Sequence, residues 1–254
     1  MRPYFHIIPK AQVVVIGDET GGFYVSPALD GSRPGAFYAQ TTGLVPQYAM
    51  PSLAYHEAVP GHHFHLALTQ ELDLPLLRRD VGFNGHIEGW ALYAESLAAE
   101  MGLYDGDLYG ELGRLQFEAL RAARLVADTG INARRWSFDQ AVDFMVENTG
   151  RPVEAAQAEV ARYISAPGQA TSYYTGYLKI LELRERAQAA LGERFNLPAF
   201  HDVLLANGIL PLPILERLVD EFIAAGAAET TLAGGAALRW QPSDRAHCAG
   251  RLQA

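Results

Sequence analysis

Two hydrophobic rhythms divide the chain. Up to about residue 42 the apolar residues fall in short β-branched or aromatic runs, at 11–17, 21–25 and 36–42. Runs of this length and composition predict strands, and the segment from Asp30 to Gly35 supplies the turn chemistry between the second and third. A small sheet is expected near the N-terminus. From residue 51 onward the apolar positions recur at helical spacing. Helices are predicted over 51–59, 62–72, 84–101, 107–126, 137–148, 153–164, 170–191, 197–206 and 212–225. Ser137 is placed as an N-cap with Gln140 completing a capping box, and Gly150, Gly192 and Gly208 are natural helix stops. No internal repeat is visible. The expected fold is mainly α with a small β-sheet near the N-terminus, one body over 1–223. A loosely ordered tail is expected over 224–254, where the sequence turns Ala/Gly/Thr-rich and then polar without periodicity.

Composition narrows the function. Of 254 residues 49% are hydrophobic, enough for a sizeable core, and the net charge is −9. That balance excludes a nucleic-acid binder, which needs a basic face. One cysteine, Cys248, precludes an intramolecular disulfide and a thiolate metal site. It lies with His247 in the expected tail, and neither is assigned a metal role. No stretch reaches the ~20 apolar residues of a membrane span, and the first residues lack the apolar core of a signal peptide. The expectations are no membrane partner and, as the chain stands, a cytoplasmic location.

The chemistry concentrates at His56-Glu57-Ala58-Val59-Pro60-Gly61-His62-His63, with Glu88 twenty-five residues after His63. Two imidazoles and a carboxylate are a zinc ligand set that leaves a position for water. A glutamate next to the first histidine is placed to take that water's proton. In a regular helix the second ligand belongs at position 60, which is proline. His62 lies roughly 120° off the face of His56, and His63 roughly 10 Å along the axis. With metal–nitrogen bonds of about 2 Å, neither shares an ion with His56 unless the helix is broken. Pro60 cannot donate to the carbonyl of residue 56, and Gly61 admits an unusual backbone angle. The expected ligands are His56, His62 and Glu88, with His63 the alternative to His62. The segment around Glu88 is apolar on most sides and so predicted to be buried, where a carboxylate needs a partner. Glu95, seven residues on, either orients a ligand histidine or pairs with an arginine. His65, three residues after His62, is a weaker candidate that either backs a ligand or, as the preferred reading, lies on the helix surface.

These residues occur in a recognisable order. His56 to His63, Glu88 to Glu95, Asp128-Thr129-Gly130-Ile131, Arg162-Tyr163 with Pro167-Gly168-Gln169-Ala170, and Phe200-His201-Asp202 together resemble the bacterial family called domain of unknown function 885. The resemblance runs from about residue 3 to about residue 222. That family looks like a distant relative of the gluzincin peptidases, including angiotensin-converting enzyme and dipeptidyl peptidase III. Those relatives place Gly-His at the second ligand, which favours Gly61-His62. The resemblance implies a gluzincin-like helical catalytic domain over 1–223. Family members are usually about twice this long with a helical N-terminal region, so the chain resembles their C-terminal half. One wall of the cleft would then come from a missing N-terminal half or from a homo-oligomer. The family usually has His after Asp-Thr-Gly-Ile; Asn132 stands there and cannot carry a proton at neutral pH.

The expected activity is zinc-dependent peptide hydrolysis, with Glu57 as general base and a peptide as substrate. Tyr173 is the first candidate to donate to the oxyanion. Tyr174 and Arg162 are candidates for binding substrate, the latter through a carboxylate, although an internal ion pair suits Arg162 equally. The strand at 36–42 is the candidate free edge for an extended peptide. The competing expectation is a shortened, weak or inactive relative that binds peptide or metal without cutting. A di-iron site is disfavoured because the chain contains no Glu-x-x-His pair.

Overall fold

Strands β1 (Val13–Asp18), β2 (Phe23–Val25) and β3 (Gly35–Gln40) form one sheet in the order β1-β3-β2. The structure is a computed structural model and describes residues 1, 3–19, 22–43 and 46–226. The tail expected at 224–254, with His247 and Cys248, lies outside the described residues beyond Gly226. β1 runs parallel to β3 with Val13 opposite Gly35, and β2 antiparallel with Phe23 opposite Tyr38, whose rings stack at 4.7 Å. β3 is therefore the central strand and not the expected free edge. The reason is burial: Gly35, Ala36 and Phe37 are the sheet's buried residues, whereas Val14, Val15 and Ile16 of β1 are exposed. The edges are β1 and β2.

The rest is helical: α1 (Met50–Glu57), α2 (His62–Glu71), α3 (Leu76–Asp80), α4 (Asn84–Glu100), α5 (Leu108–Arg134), α6 (Phe138–Thr149), α7 (Val153–Ser165), α8 (Thr171–Leu191), α9 (Leu197–Leu205) and α10 (Leu212–Ala224). Short 3-10 turns precede α1 and α9. The capping box forms as read, with Gln140 N donating to Ser137 Oγ at 3.1 Å and Ser137 N to Gln140 Oε1 at 2.9 Å.

α4 is the spine. Trp90, Tyr93 and Leu97 are fully buried in a core shared with Phe64 of α2, Ile180 and Leu183 of α8, Phe200 and Leu204 of α9 and Phe222 of α10. α4 and α8 approach until backbone meets backbone: a Cβ on Gly89 would fall 2.6 Å from Gly176 Cα, and one on Gly176 would collide with the carbonyl of Gly85. Only glycine permits this crossing, and it carries Tyr173, three residues before Gly176, toward Glu88. A second core joins α5, α6 and α7 through Leu120, Ala127, Met145, Val160 and Tyr163.

Candidate metal centre

The helix carrying His56 breaks where the proline predicts. α1 ends at Glu57, Ala58 takes φ −102°, ψ −102°, and α2 starts at His62 after Gly61 at φ −80°, ψ −128°. The requirement for glycine is contact rather than φ: a Cβ at 61 would strike the carbonyl oxygens of His56 and Tyr55. Trp90 pins the break from α4, its Nε1–H donating to Pro60 O at 2.9 Å. Two short helices at an angle thus replace one long one, and the rings of His56 and His62 meet edge to face at 4.6 Å.

α4 adds Glu88. Its Oε2 lies 3.6 Å from His56 Nε2 and 3.3 Å from His62 Nε2, and the three donor atoms fall within 4.8 Å of one another. Charge-assisted hydrogen bonds are shorter, about 2.7–2.9 Å, and Glu88 Oε2 is buried without a hydrogen-bond partner among the described residues. Ion pairs this long leave a buried carboxylate oxygen incompletely satisfied, which is costly. The spacings instead approach the edge of a tetrahedron of nitrogen and oxygen ligands around zinc, about 3.3–3.5 Å for bonds of 2.0–2.2 Å. The donor set fits a divalent ion: His56, His62 and Glu88 form a buried group able to bind metal.

Electrostatics agree. Burial opposes charge on both His56 and Glu88, yet mutual attraction prevails. His56, facing Glu88, Glu95 and Glu57, is pushed up to about 9. Glu88, facing His56 and His62, is held well below the usual carboxylate range. The pocket favours a positive charge at its centre. Behind it, His56 Nδ1–H donates to Glu95 Oε1 at 2.8 Å, which leaves Nε2 toward Glu88. Such a carboxylate fixes the tautomer and orientation of a ligand histidine. Glu95 also meets Arg121 of α5 at 3.4 Å, so one carboxylate faces both His56 and an arginine.

The remaining expected residues separate cleanly. Glu57 and Tyr173 line the same cleft of about 280 Å³ as the three ligand candidates, with Phe23 and Tyr24 of β2 on its wall. Tyr173 lies nearly parallel to His56 at 6.2 Å, and the Arg124 guanidinium sits 4.8 Å over its ring. Tyr174 turns away into a groove with Leu115, Ala119 and Ala122. Arg162 pairs with Glu159 at 3.3 Å and donates to Gln169 Oε1 at 2.9 Å, away from the cleft. His63 is occupied at both nitrogens: Tyr24 OH donates to Nδ1 at 2.9 Å, and Nε2–H donates to Ala11 O at 3.1 Å. It joins α2 to the sheet. His65, expected on the surface, is fully buried against His86 and Trp90, because the break rotates α2 and turns this position into the core. Asn132 donates to Asp128 Oδ1 and to Tyr163 O, and Asp128 accepts from Gly168 N, which ties the third and fourth motifs together.

Sequence reasoning missed the two buried arginines. Arg124 donates to both oxygens of Glu159, at 2.9 and 2.8 Å, while it covers Tyr173, and Arg121 backs Glu95. Their signal was present: two arginines three apart among alanines and leucines, on the buried face of an amphipathic helix.

The family model for "Bacterial protein of unknown function (DUF885)" matches residues 7–219. The crystal structure of the "putative lipoprotein" from Colwellia psychrerythraea is similar at 45% identity and a TM-score of 0.86, over 89% of this chain and 40% of that one. A second "putative lipoprotein of unknown function", from Shewanella oneidensis, shares the fold at 24% identity and a TM-score of 0.74, over 85% of this chain and 41% of that one. The chain thus spans about two fifths of the length of these relatives. No curated protein matches it. Among the described residues no helix is long and apolar enough to cross a membrane. With the match extending from β1 to α10, the chain belongs to the DUF885 family of bacterial proteins of unknown function.

Proposed function

We propose that the protein is a zinc-dependent peptidase. The observation that carries this reading is Glu88 Oε2, buried, without a hydrogen-bond partner among the described residues and facing two imidazole nitrogens in a cleft that Glu57 also lines. His56, His62 and Glu88 would hold the ion, and their N₂O donor set suits zinc. When bound, zinc acidifies a water and polarises a carbonyl. Glu57 accepts the water's proton and returns it to the leaving amine. Tyr173 donates its hydroxyl to the oxygen on which charge develops, held in place by the Arg124 guanidinium over its ring. Glu95 keeps His56 in the tautomer that leaves Nε2 free. β2, an edge of the sheet among the described residues, has Phe23 and Tyr24 on the cleft wall and offers backbone groups to an extended peptide. Arg162 and Tyr174 have no part in this scheme. The order of His56-Glu57, His62 and Glu88 resembles the gluzincin peptidases and supports the choice of peptide over other substrates. We place the protein at the bacterial envelope rather than in the cytoplasm, because the 45%-identical relative is called a lipoprotein.

The test combines metal analysis with a mixed peptide library. About one zinc per chain and chelator-sensitive cleavage are expected. Glu57→Gln should retain the metal and lose roughly a hundred-fold or more in rate. Purified protein that takes up no divalent metal, or cleavage indifferent to chelator, defeats the proposal. A second reading, a metal-holding peptide binder, draws on the edge of β2 that stands on the cleft wall. Stoichiometric zinc with peptide binding and no cleavage is its signature.

A further inference from the structure

α5 carries an apolar seam on its outer face. Leu108, Leu112, Leu115, Ala119, Ala122 and Val126 follow one another at spacings of four, three, four, three and four, over about 27 Å of helix. This is the pattern that seats one helix against another. The opposite face of α5 is already used, burying Gly113, Leu120, Arg121, Arg124 and Ala127. The seam itself is open: Leu108 is 84% exposed, Leu112 57%, Leu115 49% and Val126 42%. Beside it Leu115, Ala119 and Ala122 wall a shallow groove of about 250 Å³ with Tyr174 of α8, and Leu178, one turn further along α8, is also exposed. Contiguous apolar surface of this kind marks an interaction site.

Spacing and charge specify the occupant. The small Ala119 and Ala122 allow close backbone approach at the middle of the seam. The flank carries Glu111 and Glu118, bracketing Arg114 at 2.7 and 3.1 Å, so the edge keeps a net negative charge. A second copy of this chain, itself at −9, would bring that acidic edge against its own. The longer relatives carry about three fifths of their chain outside the shared region. We propose that this seam docks an amphipathic helix with apolar residues at the same alternating spacing and Lys or Arg beside them, carried in the longer relatives by the part of the chain outside the shared region.

The test places Leu112→Glu with Leu115→Glu in this protein, and glutamates at the aligned positions of the full-length Colwellia psychrerythraea relative. Thermal unfolding is then compared. In the 254-residue chain both positions are exposed, and its melting temperature should move by no more than about 1 °C. In the relative it should fall by about 4 °C or more, because charges would be buried under the docked helix. An alanine pair, read the same way, serves if the glutamate pair prevents the relative from folding. Equal shifts in the two proteins, or none in the relative, overturn the proposal. So does sedimentation showing this protein to be a dimer that the double variant dissociates, which would make the occupant a second copy.

Discussion

At the scale of single residues the histidines divide by the sign of their electrostatics. His56 is drawn toward charge by three glutamates, whereas His86 and His201 are driven away from it, each lowered to about 4 by burial. His201 donates from Nδ1 to Tyr4 O at 2.7 Å and accepts from Tyr93 OH at Nε2, so its neutral form is built into a chain of hydrogen bonds. His86 Nδ1 accepts from Leu210 N at 3.0 Å. For these two the folded value lies below the unfolded value of 6.5. Their contribution is present above pH 6.5 and lost as pH falls through about 4, at up to about 3 kcal/mol each. For His56 the sign is opposite: in metal-free protein its contribution is full below pH 6.5 and disappears as pH rises through about 9. Urea midpoints of chelated protein should therefore decline between pH 6.5 and 4, and His86→Asn should flatten that decline. An acid limb of unchanged slope in the variant contradicts the assignment. None of this was legible from residue identity, since a histidine reads the same in a cleft and in a core. His65 is the clear case, expected in water and found buried.

At the scale of elements the decisive feature is the turn from α1 to α2. Gly61→Ala would press a methyl group onto two carbonyl oxygens, and the turn must open to relieve it. The expected cost is about 2–3 kcal/mol in a denaturant titration, with at least a ten-fold loss of zinc affinity because His62 moves relative to His56. Unaltered zinc binding in this variant rules out the turn as the device that assembles the site. The break was readable, since proline and glycine act through local backbone chemistry. Other boundaries were not. α5 was expected to stop near residue 126 and runs to Arg134. The extension depends on partners distant in sequence: Asp128 and Asn132 bond α7 and the turn after it. α3, a five-residue helix after Pro75, is too short to show a period. The strand expected to be an edge became the centre of the sheet, because strand order is set by which residues pack and not by which residues prefer extension.

At the scale of the whole molecule the three ligand candidates join α1, α2 and α4, and Glu95 and Arg121 extend that junction to α5. An ion held there stabilises the fold by mass action, by about 2.7 kcal/mol at a free concentration one hundred times its Kd. Adding zinc to chelated protein should raise the melting temperature in a concentration-dependent way, and Glu88→Ala should abolish that rise. A melting temperature indifferent to zinc in the unmodified protein means that the group does not bind it. By itself the sequence determined the helical class, the small sheet, the family and the residue types at the centre, because periodicity, turn chemistry and motif order are properties of neighbours along the chain. Only the tertiary structure decided that His62 rather than His63 faces His56 and Glu88, that Tyr173 enters the cleft while Tyr174 leaves it, and that Arg162 is spent on Glu159. Those outcomes turn on the direction of a side chain after a break, and on a glycine-to-glycine helix crossing, both set by packing between segments far apart in the chain.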